Sequence, residues 1–210
     1  YYRVRYDQAI GRMYLLNYER TMNQIFRGEN GTVNKNRLML GIRSADVEYS
    51  ANEKGNIIAF VQEGELWSYN SDNNHLSQIY SFRSPEGISE RENHSGHQIR
   101  IMKIDETGSM DFVVYGYMNR GNHEGQTGIN VFHYDSVGNT IEEILFIPFD
   151  KSSEMLKAEW GRLFYVSDGN IFYLLAQDVL YRIDLDARET RQVIEGLKPG
   201  SFAVSENGRY

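Results

Sequence analysis

The chain has 210 residues, 40% apolar and 24% charged, with a net charge of −7. That is enough chain to bury the core of one domain or two small ones, and the balance is that of an ordinary globular protein. The acidic excess and the lack of any Lys/Arg cluster argue against nucleic acid or an anionic membrane surface as partner, because both demand gathered cations.

Cysteine is absent, which excludes disulfides, thiolate metal sites and a cysteine nucleophile. This fits an exported bacterial protein that avoids stray thiols, extracellular or at the cell surface; a cytoplasmic protein is the alternative. No run of 18 apolar residues is present to span a membrane, and no signal peptide is recognisable. Tyr1–Tyr6 already reads as a strand and Ser205–Tyr210 stops just past a turn, so both ends read as cuts in a longer chain. The 15 Tyr and 10 Phe suit pleated, half-buried surfaces.

In chain order, the same form recurs: a strand, a polar turn with Gly, then an apolar strand. Tyr6–Gly11 precedes Met13–Leu16, and a turn at Glu19-Arg20 is expected to lead into the rest of that period. Ser50–Gly55 precedes Ile57–Val61, which turns at Glu63-Gly64 into Glu65–Tyr69; Ser71–His75 then leads to Leu76–Phe82. Asp105–Gly108 precedes Phe112–Tyr115, and this period carries a long insert, Gly116–Gly128. Ser152–Ala158 has a weak helical reading. Lys157–Gly161 precedes Leu163–Val166, which turns at Asp168-Gly169 into Ile171–Leu175. Val179–Leu185 and Glu189–Ile194 complete that period. Ser201–Ser205 opens another, with its turn at Ser205–Gly208.

The turn glycines at 11, 55, 108, 161 and 208 are spaced by 44, 53, 53 and 47 residues. A four-stranded propeller blade takes about 40 to 50 residues. The expected fold is all-β: a β-propeller portion of about four four-stranded blades, roughly 1–44, 45–97, 98–150 and 151–200, plus the first strand of a fifth. A two-layer sandwich is the competing architecture, but it gives no reason for strand–turn–strand to recur at blade length. The repeat resembles those of bacterial propeller families such as the TolB-like and WD40-like groups. The Gly-His…Trp-Asp pairing of WD40 blades and the sialidase Asp-box are absent, so no family residue is carried over.

In such blades the loops joining the second strand to the third share one face with the blade-to-blade connections. The long segments Gly28–Ser44, Arg83–His97, Gly116–Gly128 and Pro148–Lys157 would all fall there, and long loops are commonly functional. Within Gly116–Gly128, Asn119, Arg120, His123 and Glu124 are candidate binding residues: Arg120 suits a bidentate grip on a carboxylate, and His123 and Glu124 suit a second polar group. His94 and His97 of the neighbouring segment join them. Imidazoles beside carboxylates also suit zinc or proton transfer, but His-x-x-His in a loop is a weak metal signature. No metal or cofactor is assigned, since no Walker loop, Gly-x-Ser-x-Gly, His-Glu-x-x-His or Asp-x-Asp-x-Asp-Gly calcium signature occurs. Met118 and Met155 read as loop residues of an interaction surface, Trp67 as core, and His75 and His133 as ordinary surface or satisfied residues.

Two functions stay open. One is a non-catalytic binding or scaffold module of a larger exported bacterial protein, recognising a protein or glycan and flanked by further blades or domains. The other is a hydrolase of sugars or peptides using His94, His97, His123 and Glu124, which requires those groups to converge.

Overall fold

The computed structural model describes residues 2–18, 32–34, 37–40, 47–83, 96–160, 164–166 and 169–198. The chain divides into two compact units, Tyr1–Arg43 and Ser44–Tyr210. In the first, β1 (Tyr2–Asp7) and β2 (Arg12–Tyr18) form an antiparallel hairpin, and β3 (Val33–Asn34) pairs with β4 (Arg37–Leu38). Gly11 turns the hairpin with φ +65°, a left-handed conformation that glycine adopts without steric cost. The Glu19-Arg20 turn lies outside the described residues.

The second unit consists of propeller blades, each an antiparallel meander of four strands. The first blade is β5 (Tyr49–Ala51), β6 (Ile57–Gln62), β7 (Glu65–Asn70) and β8 (His75–Tyr80). The middle blade is β9 (His97–Ile104), β10 (Met110–Tyr117), β11 (Thr127–Asp135) and β12 (Thr140–Pro148). A helix, α1 (Ser153–Trp160), leads to the last blade, β13 (Phe164–Val166), β14 (Ile171–Ala176), β15 (Val179–Asp184) and β16 (Glu189–Ile194).

The equivalence of the blades is visible in single residues. Asn74, Asn139 and Arg188, each directly before the fourth strand of its blade, have φ of +57°, +49° and +56°. Asn56, Ser109 and Asn170, each directly before the second strand, bond to Asp72, Ser136 and Asp186 of the third-to-fourth turn. The matching glycines are therefore Gly55, Gly108 and Gly169. The constant spacing predicts Gly161 as the turn of the last blade, but the residues leading to it, through Trp160, are helical. Gly161 itself, Gly208 and the Ser201–Ser205 strand lie outside the described residues.

Burial follows from this stacking. The run Met110–Tyr115 is continuously apolar except for Asp111, the pattern of a strand buried on both faces. Phe112 and Val114 pack with Ile57, Ala59 and Leu66 of the first blade. Val113 and Tyr115 point the other way and pack with Phe172, Leu174 and Ile183 of the last. Two apolar layers thus flank one sheet, as repeat stacking requires. Gly108 closes the first seam at the turns: a side chain there would press on Ile57 Cδ1, 3.3 Å away. Trp67, expected in the core, is only half-buried beside Phe60 on β6. Met118, expected in an interaction surface, is instead buried in the first layer.

The alternation of turns gives each blade two ends. First-to-second and third-to-fourth turns lie at one, here the turn end. Second-to-third loops and blade-to-blade connections lie at the other, the loop end.

Candidate functional site

The loop between β10 and β11 spans residues 118–126 and continues the hairpin. Met118 N–H donates to Gln126 O at 2.8 Å, and Gly125 N–H to Met118 O at 2.9 Å. Two tight turns fold its tip: Glu124 N–H reaches Gly121 O, and Gln126 N–H reaches His123 O. Gly121 and Gly125 take φ of +93° and +84°, so the sequence pattern Gly-x-x-x-Gly is what permits the double turn.

The candidates separate by depth. Met118 and Asn119 are buried, at 2% and 1% exposure. Arg120 and Glu124 are exposed. His123 folds back onto its own blade: its Nε2 lies 2.8 Å from Glu143 Oε1, and its ring stacks on Phe146 with centroids 3.6 Å apart and planes 7° from parallel. Phe146 in turn lies across Gly128, where an added Cβ would come within 2.6 Å of the ring. Glu143 Oε2 accepts from Asn130 Nδ2 at 2.9 Å. A chain of contacts from the strand floor therefore fixes the loop. Sequence reasoning misses Glu143, Asn130 and Phe146, because in sequence they are ordinary members of half-buried strands.

His97 is not in a loop but opens β9, buried. Its Nε2 lies 2.8 Å from Gly64 O, and its ring meets Phe82 edge-on at 4.5 Å. It ties the middle blade to the β6–β7 turn of the first. The two long segments do share an end of the blades: Tyr117 N–H donates to Gly96 O at 3.0 Å, and Gly116 has no room for a Cβ beside Gly96. His94 lies outside the described residues. His97, His123 and Glu124 hold separate positions, and among the described residues no group of three or more His, Asp or Glu could hold a metal ion. Nearby, Arg83 reaches Glu63 at 3.6 Å and Glu65 at 3.9 Å, and Ser81 donates to Glu65.

The connection after β12, expected as a loop, is anchored by buried Phe149 and then becomes α1. Ser152 caps the helix, its Oγ accepting from Met155 N–H. Leu156 plugs the second apolar layer, while Met155 is exposed.

At the turn end, Asp111 and His133 face each other across β10 and β11, with Oδ1 and Nδ1 2.8 Å apart. Burial pushes the Asp111 carboxyl above its ordinary range, and the bond to His133 works against that rise. Lys103 bonds Asn170 of the last blade, and Arg188 pairs with Glu142. His133 is a satisfied structural residue, as expected.

No helix among the described residues is long and apolar enough to cross a membrane. No family model matches the chain, and no curated protein matches it. The chain is similar to an oligogalacturonate lyase from Vibrio parahaemolyticus, at 15% identity and a TM-score of 0.38, over 73% of this chain and 37% of that one. It is also similar to the tricorn protease, at 12% identity and a TM-score of 0.39, over 99% of this chain and 16% of that one. Dipeptidyl peptidase 4 of Porphyromonas gingivalis is a third, at 11% identity and 0.32, over 79% and 35%. The chain spans well under half the length of each of these proteins.

Proposed function

We propose that this chain is a non-catalytic binding module, part of a larger exported bacterial protein, that recognises a protein or glycan through the loop end of its blades. The observation that carries this reading is the rigid mounting of the 118–126 loop. Buried Met118 and Asn119 hold one side of the loop, and stacked His123 holds the other. Arg120 is exposed between these anchors, and Glu124 is exposed directly after His123. A tip held in one conformation loses little entropy when a ligand docks, which raises affinity without added contact area. Opposite charges four residues apart suit a polar surface with its own donors and acceptors, such as a peptide or a hydroxylated sugar. A chain without cysteine is also suited to an oxidising location, where stray thiols would pair.

The test is a glycan array and a displayed peptide library probed with the chain and with an Arg120→Ala/Glu124→Ala variant. Features bound by the chain should lose signal in the variant while the melting temperature stays put, since exposed loop changes cost within about 0.5 kcal/mol. Signals that all survive the double substitution, or no signal from either probe set, would sink the reading.

A further inference from the structure

A second polar feature lies at the rim of the seam between the first and middle blades. Asn130 on β11 is 3% exposed. Its Nδ2 donates to Glu143 on β12, and a carboxylate only accepts, so the amide orientation is fixed. Its Oδ1 is therefore a buried acceptor, and no donor among the described residues reaches it. Leaving such a group unmet is unfavourable. Glu143 has one ion-pairing partner among the described residues, His123, and an imidazole carries charge only when protonated. Tyr80, at the end of β8, stands across the seam. Its ring contacts Phe132 at 5.2 Å, Phe112 at 5.5 Å and Phe82 at 5.3 Å. Burial, and secondarily the Glu143 charge, push its phenol well above the ordinary range. The rim thus gathers two acceptor groups and a negative charge beside aromatic rings, with no lysine or arginine side chain paired to Glu143 among the described residues.

We propose that Asn130, Glu143 and Tyr80 form a binding site for a primary ammonium group, such as the side-chain amine of a lysine. An ammonium brings three donors and a positive charge: one donor meets Asn130 Oδ1, the charge meets Glu143, and the aromatic rings attract the cation. This site shares Glu143 with the mount of the 118–126 loop, through His123, but uses neither Arg120 nor Glu124.

The experiment follows the Asn130 side-chain amide by NMR in the full chain, titrated with n-butylammonium chloride at constant ionic strength. A saturable shift in the millimolar range is expected, with none from n-butanol. Glu143→Gln should weaken the response by about tenfold or more, and Tyr80→Phe, which keeps the ring, should weaken it less. Folding of both variants is checked by circular dichroism, and Tyr80→Phe serves alone if the first does not fold. No saturable shift, an equal response to n-butanol, or binding undiminished in the folded variants overturns the proposal.

Discussion

At the scale of single residues, two glycines near the same loop differ in what they prevent. Gly125 has φ +84° and nothing within 4 Å of the place a Cβ would take, so Gly125→Ala meets backbone strain alone, about 1–2 kcal/mol. Gly116 has φ +120° and would drive a Cβ into the Gly96 carbonyl and to 2.8 Å from His97 Cα. Gly116→Ala should therefore cost clearly more, about 3 kcal/mol or above, and urea unfolding of the two variants orders them. Equal costs would show that the β9–β10 junction yields. His123→Ala should lose about 1 kcal/mol through its stack on Phe146, a different outcome from the near-neutral change that an exposed binding histidine would give. Asp111 makes a pH prediction. Its folded carboxyl holds a proton more tightly than the unfolded one, so its contribution to stability is fully present below the ordinary carboxylate range. It falls as pH rises through the raised folded value. Asp111→Asn should flatten that slope, as read from urea midpoints between about pH 3 and 7; an unchanged slope would mean that His133 cancels the burial effect.

At the scale of elements, α1 is nearly legible in the sequence, and the blade after it is misaligned for the same reason. Ser152–Ala158 has only a weak apolar stripe, and among its described side chains Leu156 is the one buried in the second apolar layer. Leu156→Ala should cost about 2–5 kcal/mol by opening a cavity there, measured by denaturant unfolding; a loss below about 1 kcal/mol would mean the helix rests on the surface. A short helix inserted between blades shifts the spacing, so the glycine that fits a constant period, Gly161, is displaced from the one that does the turning, Gly169. The strands are legible because alternation or continuous apolarity reports burial directly, as in Met110–Tyr115. The site is legible only in part. Composition marks the 118–126 loop, but whether a histidine points to solvent or to Glu143 depends on a strand twenty residues away.

At the scale of the molecule, both apolar layers, among the described residues, are built from Ser44–Tyr210. A chain trimmed to that unit should keep its cooperative thermal transition and its near-UV signal; loss of both would show that the β1–β2 hairpin is required for the core. The two ends of the blades differ in how they are fastened. At the turn end, Asn52 and Lys54 of the first blade both reach Glu106 of the middle one, and Asn56, Ser109 and Asn170 each lock their own blade's turns together. Each lock holds two tight turns against each other, so a residue inserted within either turn pulls its partner out of reach. At the loop end, the 118–126 tip is closed by turns within itself and holds no turn of a second hairpin in place. The fold therefore has a graftable side and a non-graftable side: a foreign epitope spliced between Gly121 and Asn122 should be displayed without loss of the scaffold, whereas the same splice between Thr107 and Gly108 should abolish soluble expression.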